Sequence, residues 1–471
     1  MSYGNRSHVL ASIIIAAGIV ACSSDDDKVS SPASGGSSTI GATGGSGSLG
    51  GAGGVTNTSS GGASNPPSST SVATGGSNVA TGGSNAASGG NNAATGGSNV
   101  ASGGVSATGG ATQSSTAGAA SVKPVYLIDT GSASAAFPDL LPGIHVFNSV
   151  TSELIREVKF TDRKGISIGH FASLSPDGAY LWLCNDLGNV SADKGEVDIY
   201  ETATLTITKQ FKDVGCGVQN TRTHNGKYVF TSSTLTSKIN VFDAVKQTQL
   251  GTIDIGSAPH VGDTSADDKT YFTTNAALGH ALAYDISQLP TTLPTAPILD
   301  VEIDASGAPT NLHALRVHPN GKYLFVGAGA VGTNVIDIAA KAIVAVVPGS
   351  PHNYAISPDA KYLVSSELAL DTARGTGERL QVIDISTLST ATPDLTKVKQ
   401  VATLPHAGLG GSHEGWSPAT GKLWYTLYSN TDRKGQLWVV DTSMLPDMLM
   451  VDKKTPIGDA PHGVVFPERN D

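Results

Sequence analysis

Short apolar runs, each preceded by turn-forming residues, recur along the chain from about residue 122 onward. Runs such as "YLWLC", "YVFTS" and "YLFVG" are rich in Tyr, Val, Leu and Phe, and such runs bounded by Gly, Pro, Asn and Asp are typical of β-strands. Each run follows a turn of the form Ser-Pro-Asp-Gly or a variant of it. These turns recur about 40 to 60 residues apart. They begin at Ser175, Thr223, Ser265, His318, Ser357 and Ser417.

Each turn belongs to a unit of four predicted strands. One run precedes the turn, one follows it, one ends on an acidic residue, and a fourth closes several of the units. Four antiparallel strands repeated at this period predict a β-propeller, because closure into a ring leaves few strand edges exposed. We interpret the acidic residues as turn caps rather than catalysts. They are Asp243, Asp285, Asp337, Asp384 and Asp441.

A seventh unit is divided between the two ends of this region. The C-terminal stretch "GDAPHGVVFPE" offers a first strand only, whereas "PVYLID", "GIHVFN" and "ELIREVKF" near residue 122 have no first strand before them. Together they complete one blade. The sequence therefore predicts an all-β fold, a seven-bladed β-propeller over residues 122–471, closed by a blade shared between both termini.

The residues ahead of the propeller follow other patterns. Within residues 1–21, Arg6 and His8 precede an apolar run that is too short to span a bilayer. This arrangement is typical of a secretory signal peptide. Residues 22–121 are dominated by Gly, Ser, Ala, Thr and Asn. This composition buries too little apolar surface to offset the entropy of ordering, so we predict a disordered tether.

The four residues "IVAC", which end at Cys22, resemble the lipobox of bacterial lipoproteins, in which the cysteine is lipidated. Ser23 and Ser24 follow it. The resemblance implies an outer-membrane lipoprotein that faces the periplasm or the cell surface, with the membrane as a partner through Cys22. An ordinary cleaved signal with an incidental cysteine is the alternative. We expect a monomer.

The charge, the motifs and the cysteine content of the chain limit its possible partners and classes of function. The chain carries a net charge of −10 and no basic cluster, which argues against nucleic acid or an anionic lipid surface as a partner. It contains no phosphate-binding loop, no CxxCH motif and no zinc-protease helix motif. Two cysteines remain in the propeller, Cys184 and Cys216. In an exported protein such a pair is a candidate disulfide.

A histidine recurs at a fixed distance before these turns. Four of them lie five residues before the first turn residue, one lies four before Ser417, and one occupies the matching place in the C-terminal strand. Only the second unit departs, with Val218 in this position. Because innermost strands line the channel of a propeller, we expect these side chains to form a ring at one channel mouth. They are His170, His260, His313, His352, His413 and His462.

Converging imidazoles favour a bound transition metal, because neutral rings otherwise leave acceptor nitrogens unsatisfied and protonated rings repel each other. Six rings exceed the need of one tetrahedral ion, so we favour copper over zinc. His406 is a candidate additional ligand, and Cys216 is a candidate soft ligand if it is not bonded to Cys184. A water-filled structural ring is the alternative. Outside the ring, surface or turn positions are predicted for His145, His224, His280 and His318.

The layout "PDGKYLxV... VxVIDxxT" resembles the YVTN-type propeller repeat. It is also similar to lactonase-like propellers, to the propeller of haem-d-type nitrite reductases and to the N-terminal propeller of nitrous oxide reductase. The last resemblance implies copper on propeller histidines, and the haem-d resemblance implies a tetrapyrrole as the alternative cofactor. No cupredoxin segment with Cys and Met ligands follows, so nitrous oxide reduction is not expected.

Three classes of function stay open at this point. They are a metal-binding propeller, redox-active or not; a non-catalytic surface module that binds a protein or glycan at a propeller mouth; and a lactonase-like hydrolase. No nucleophile with an adjacent base is evident for the hydrolase. Whether the protein is an enzyme is left open. By position alone, Asp186, Asp263 and Glu367 are acid/base candidates.

Overall fold

The computed structural model describes most of residues 123–467. The gaps are 132–136, 138, 164–167, 186–194, 217–218, 233–235, 304–311, 330, 368–377 and 430. The predicted signal peptide (1–21), Cys22 and the tether (22–121) lie outside the described residues, as do Asp186 and Val218. Within the described part, no helix has the length and apolar character needed to cross a bilayer.

The described strands form seven antiparallel sheets of four strands, each a blade of a propeller. Blade 1 contains β28 (Pro461–Val465), β1 (Pro124–Asp129), β2 (Gly143–Asn148) and β3 (Leu154–Lys159). Blade 2 contains β4 (Ile168–Leu174), β5 (Tyr180–Asn185), β6 (Glu196–Glu201) and β7 (Thr206–Phe211). Blade 3 contains β8 (Gln219–Arg222), β9 (Tyr228–Ser232), β10 (Lys238–Asp243) and β11 (Thr248–Asp254).

The remaining blades repeat this order. Blade 4 contains β12 (Pro259–Thr264), β13 (Thr270–Asn275), β14 (His280–Asp285) and β15 (Leu299–Glu302). Blade 5 contains β16 (Ala314–Val317), β17 (Tyr323–Ala328), β18 (Gly332–Asp337) and β19 (Ala342–Val347). Blade 6 contains β20 (Pro351–Ile356), β21 (Tyr362–Glu367), β22 (Arg379–Asp384) and β23 (Lys399–Pro405). Blade 7 contains β24 (Leu409–Trp416), β25 (Leu423–Ser429), β26 (Lys434–Asp441) and β27 (Met450–Asp459). Short 3-10 turns cover Thr161–Arg163, Ser386–Ser389 and Leu395–Lys397.

The first strands of the blades form a closed circle. Each of β4, β8, β12, β16, β20 and β24 contacts the first strand of the next blade, and β28 contacts both β24 and β4. In blade 1, β28 pairs antiparallel with β1, although more than 300 residues separate them in the chain. The seven-bladed propeller predicted from the sequence is therefore confirmed, including the blade shared between the termini.

The core lies between neighbouring blades. Inner and middle strands are almost wholly buried, whereas outer strands such as β3 and β23 are largely exposed or half-buried. Aromatic side chains from adjacent blades pack directly on each other: Trp182 lies 5.6 Å from Phe242, and Phe230 stacks on Tyr271 at 4.3 Å between ring centroids. The apolar faces of the sheets are buried against each other. The central channel is therefore lined by other side chains.

The turn residues act as the sequence predicts. Ser175 and Ser357 each donate a side-chain hydrogen bond to the aspartate two residues later, and each accepts one from the backbone N–H five residues later. The acidic residues that close the third strands accept backbone N–H groups two or three residues later, at 2.8–2.9 Å. Their interpretation as turn caps is confirmed.

The two cysteines of the propeller are bonded to each other. Cys184 lies near the end of β5, and Cys216 lies shortly before β8. Their Cα atoms are 5.4 Å apart, within the usual range of a disulfide. The bond ties blade 2 to the segment that leads into blade 3. A sulfur engaged in this bond is not available as a thiolate ligand.

Candidate functional site

Six histidines from six blades lie side by side in the channel. All six are buried, with 2–6% of each residue exposed. The ring centroids of neighbouring members are 4.2 Å apart for His170 and His462, 4.3 Å for His260 and His313, and 5.2–5.4 Å for the other neighbours in the series. We call this set the histidine ring. Its members are His170, His260, His313, His352, His413 and His462.

Irregular strand pairing marks the positions of five of the six histidines, all except His313. In blade 4, Pro259 pairs with Asn275 and Gly262 with Thr273, so one extra residue is inserted around His260. The same kind of shift surrounds His352 in blade 6. Register shifts also span the histidines of blades 1, 2 and 7. A β-bulge bends the strand and redirects a side chain, and here it falls at the channel lining.

Backbone carbonyls fix the tautomer of three rings. The Nδ1 atom of His260 lies 3.1 Å from the carbonyl oxygen of Leu312, and that of His352 lies 3.2 Å from the carbonyl oxygen of Ser412. The Nδ1 atom of His462 lies 2.9 Å from the carbonyl oxygen of Ala460. A carbonyl can only accept, so each Nδ1 carries the proton and donates it. The lone pair of the neutral ring is then on Nε2.

Hydroxyl groups from second strands hold the same backbone. Ser366 donates to the carbonyl oxygen of Ser412 at 2.8 Å, and Thr274 donates to that of Leu312 at 3.3 Å. In the same way, Ser232 donates a hydrogen bond to the carbonyl oxygen of His260, and Thr426 donates one to that of His462. Each of these bonds crosses from one blade to the next. The backbone at the ring is thereby clamped between neighbouring blades.

The histidine ring is neutral at physiological pH. Burial is the main cause: it lowers the pKa of His260 and of His462 to about 4, and that of His352 to about 3. For the other three, burial and the neighbouring imidazoles hold the pKa well below its ordinary value. Neutral imidazole is the form that binds transition metals.

The rings are stacked or tilted rather than aimed at one point. His170 and His462 lie nearly parallel, with an angle of 25° between their planes, and Phe171 stacks on His413 at 4.1 Å. Nδ1 of His413 is buried and has no hydrogen-bond partner among the described residues. Among the described residues, no group of three or more His, Cys, Asp or Glu side chains has the positions needed to hold a metal ion. Ligation would require the rings to turn about their side-chain bonds.

His406 lies outside the ring. Its Nδ1 donates to the carbonyl oxygen of Leu409 at 2.9 Å, and its Nε2 lies 2.8 Å from the hydroxyl oxygen of Tyr425. Both nitrogens are therefore engaged in blade 7. Of the two candidates in this blade, His413 is the one that contacts the other ring members.

The prediction for one histidine was wrong. We predicted a surface or turn position for His145, but it lies in β2, is 1% exposed and pairs with the buried Asp129 at 2.5 Å. The pairing joins β2 to the end of β1, the neighbouring strand of blade 1. His224 and His318 do lie in turns, and His280 is partly exposed beside Asp300, although His318 is buried there.

The two acid/base candidates within the described residues, Asp263 and Glu367, are buried and hydrogen-bonded. Asp263 accepts the backbone N–H of Val317 at 2.9 Å, across the boundary between blades 4 and 5. Glu367 accepts Nε–H of Arg379 at 2.7 Å. The sequence analysis missed a further acid, Glu414, next to His413: burial raises its pKa to about 8. Its place in the sequence, directly after a ring histidine, is the feature that could have identified it.

Comparisons with known proteins support the fold only. No protein-family model matches the chain, and no curated protein sequence matches it. Many solved structures share the architecture. A proposed 6-phosphogluconolactonase from Bacteroides uniformis is 15% identical over 73% of this chain and 99% of its own, with a TM-score of 0.54.

Two further structures extend the comparison. A proposed 6-phosphogluconolactonase from Bacteroides fragilis is 15% identical over 74% of this chain and 98% of its own, with a TM-score of 0.52. A protein of unknown function from Desulfotomaculum acetoxidans is 11% identical over 73% of this chain and 98% of its own, with a TM-score of 0.53. At these identities the likeness is one of fold, and activity has to be argued from the site.

Proposed function

We propose that this propeller binds a transition metal ion at the histidine ring, with copper favoured over zinc. The observation that supports this most is the set of six buried, neutral imidazoles contributed by six blades. In three of them Nδ1–H donates a hydrogen bond to a backbone carbonyl, so Nε2, which carries the lone pair, is the available ligand atom. Metal-binding histidines commonly donate their second ring nitrogen to a carbonyl in this way.

The charge state of the ring suits a cation. Because the pKa values of His260, His352 and His462 lie near 3 to 4, a metal does not compete with protons for these nitrogens at neutral pH. Imidazole nitrogen is a strong ligand for Cu(II), which heads the affinity order of the divalent first-row metals. The clamped backbone between blades would limit how far the rings move when they turn toward an ion.

Metal content of the purified full-length chain tests this proposal. We expect about one copper ion or more per chain after growth with copper, and a loss of that metal when His352 and His413 are both replaced by Ala. His280→Ala is the matched control, because His280 lies on β14 and pairs with Asp300 away from the ring. We expect it to keep its metal.

Two results would contradict the proposal. One is equal metal content in the wild type and in the folded H352A/H413A variant. The other is a wild-type protein that takes up neither copper nor zinc on reconstitution. A visible absorption band of the porphyrin type in the purified protein would favour the tetrapyrrole alternative instead.

We further propose that the chain is an outer-membrane lipoprotein held through Cys22 and the Gly-rich segment 22–121. The lipobox-like residues before Cys22 and the composition of the segment support this. Replacing Cys22 by Ser should move the protein from the membrane fraction to the soluble fraction of the cells. Unchanged membrane association of C22S would exclude lipid anchoring at this residue.

A further inference from the structure

A cavity lies in the central channel beyond the histidine ring. Its volume is about 140 Å³, and a protein cavity of about 150 Å³ can hold benzene. Asp263 and Arg316 line it, and each follows a ring histidine by three residues along the chain. At about 3.3 Å per strand residue, they lie roughly 10 Å along the channel from the ring. No member of the histidine ring lines this cavity.

The wall of the cavity has two unlike sides. Three of its four charged side chains come from blades 3, 4 and 5, namely Arg222, Asp263 and Arg316. Blades 7, 1 and 2 lie across the channel from these, and they contribute apolar side chains. The apolar group consists of Trp416, Val465, Phe466 and Phe171. A wall of this kind suits a ligand that has a charged end and an apolar body.

The accessible charge in the cavity is positive. The side chain of Arg316 is 24% exposed, whereas that of Asp263, 3.8 Å from its Nη1, is 1% exposed. Nε and Nη2 of Arg316 donate to the carbonyl oxygen of Tyr354, at 3.3 Å and 3.0 Å. Arg222 is also partly exposed and donates to two backbone carbonyls. A ligand in the cavity therefore meets guanidinium groups, which bind carboxylates through paired N–H bonds.

One buried carboxyl oxygen of the cavity wall lacks a partner. Glu414 is 4% exposed, and its Oε1 accepts the N–H of Ser366 at 3.1 Å. Its Oε2 has no hydrogen-bond partner among the described residues. Glu414 follows its ring histidine by one residue, so it lies roughly 7 Å closer to the ring than Arg316 does. A carboxyl oxygen donates when protonated and accepts when ionised, and a hydroxyl group matches either state.

We propose that this cavity binds a small aromatic carboxylate that carries a hydroxyl group at the opposite end of its ring. The carboxylate binds Arg316, with Arg222 as a second cation, and the hydroxyl group pairs with Oε2 of Glu414. The aromatic ring packs against Trp416 and Phe466. The distance between the two polar levels of the channel is close to the length of such a ligand. This binding is non-covalent and does not depend on a metal in the histidine ring.

Calorimetric titration of the metal-free, full-length chain with 4-hydroxybenzoate tests the proposal. We expect saturable binding of one molecule per chain. Benzoate lacks the hydroxyl group and should bind at least about threefold more weakly. The uncharged 4-hydroxybenzamide should bind at least about tenfold more weakly, because it cannot form the charge-assisted bonds to the arginines.

A pair of arginine variants tests the position of the carboxylate. R316Q should weaken the binding of 4-hydroxybenzoate at least about tenfold. The matched control is R156Q, because Arg156 also donates to two backbone carbonyls but lies exposed on the outer strand of blade 1. We expect it to bind like the wild type.

Three results would overturn the proposal. They are a wild type that binds no 4-hydroxybenzoate, a wild type that binds benzoate or 4-hydroxybenzamide as tightly, and a folded R316Q variant that binds as tightly as the wild type. The ligand series needs only the wild type, so it decides the question even if R316Q does not fold. Copper content is measured without these ligands, so a failure here leaves the metal proposal standing.

Discussion

The surroundings of each imidazole determine its protonation state in the histidine ring. Burial removes water from the charged form, and a carbonyl from the same or the next blade accepts a hydrogen bond from Nδ1–H of three members. The result is a cluster of neutral rings in which Nε2 carries the lone pair. The same surroundings predict how the stability of the fold depends on pH.

Acid should destabilise the metal-free protein in a defined pH range. The folded-state pKa values of His260, His352 and His462 lie at about 3 to 4, below the ordinary value of 6.5. Below pH 6.5 the unfolded chain therefore binds protons that the folded chain does not. Stability is complete above pH 6.5 and falls between pH 6.5 and about 4, by about 1.4 kcal/mol per pH unit for each such histidine.

Urea unfolding of the metal-free chain at pH 7.5, 6 and 5 measures this dependence. In H352Q one titrating group is removed, so the decline should be shallower by about one proton. A free energy of unfolding that stays constant between pH 7 and pH 5 would show that the ring is not neutral by burial.

At the scale of the element, the irregular first strands carry the site. The bulges redirect five of the six histidines toward the channel, and hydroxyl groups on the second strands donate to backbone carbonyls of bulged segments such as that of Ser412. Thr426 serves two blades, because its hydroxyl group lies 2.9 Å from the carbonyl oxygen of His413 and 2.7 Å from that of His462. It is therefore the residue at which this clamp can be tested.

Thr426→Val should destabilise the fold and loosen the ring. The valine cannot donate to either buried carbonyl, and leaving such a group unsatisfied costs about 1–3 kcal/mol. We expect a loss of this size in urea unfolding, together with weaker metal binding. Thr204→Val, in an exposed turn of blade 2, should change stability by less than about 0.5 kcal/mol. Equal stability of T426V and T204V would contradict the role of this clamp.

At the scale of the whole molecule, the circle depends on its last strand. β28 pairs with β1 and contacts the first strands of blades 2 and 7. Without it, the edge of β1 and the apolar side chains of Val125 and Leu127 lose their cover. Closure therefore couples the two ends of the propeller into one cooperative unit.

A chain that ends at residue 459 should not fold into a stable propeller. Removal of β28 opens the ring, so we expect aggregation or proteolysis on expression and loss of the cooperative thermal transition. The control chain ends at residue 467, which keeps every described residue. It should unfold like the full chain. A sharp transition at an unchanged temperature for the 459-residue chain would contradict this role of closure.

Much of the architecture could be predicted because it repeats. The runs after the turns at Ser175 and Ser357 became second strands, and the C-terminal "PHGVV" became the missing strand of blade 1. Local turn chemistry is also readable, as Asp337 and Asp384 illustrate. His145 could not be placed in this way. Its burial depends on Asp129 at the end of the neighbouring strand, and nothing in its own segment indicates that pairing.

By itself the sequence determined the strands, the number of blades and the six blades that contribute a histidine, because a constant offset within each repeat becomes a constant position in a closed ring. Only the tertiary structure decided the bulges, the tautomers and the orientations of the rings. These depend on contacts such as that between His352 and the carbonyl of Ser412, 60 residues apart in the chain. A repeat pattern fixes where a side chain lies along a strand, whereas the atoms it contacts belong to the neighbouring blade.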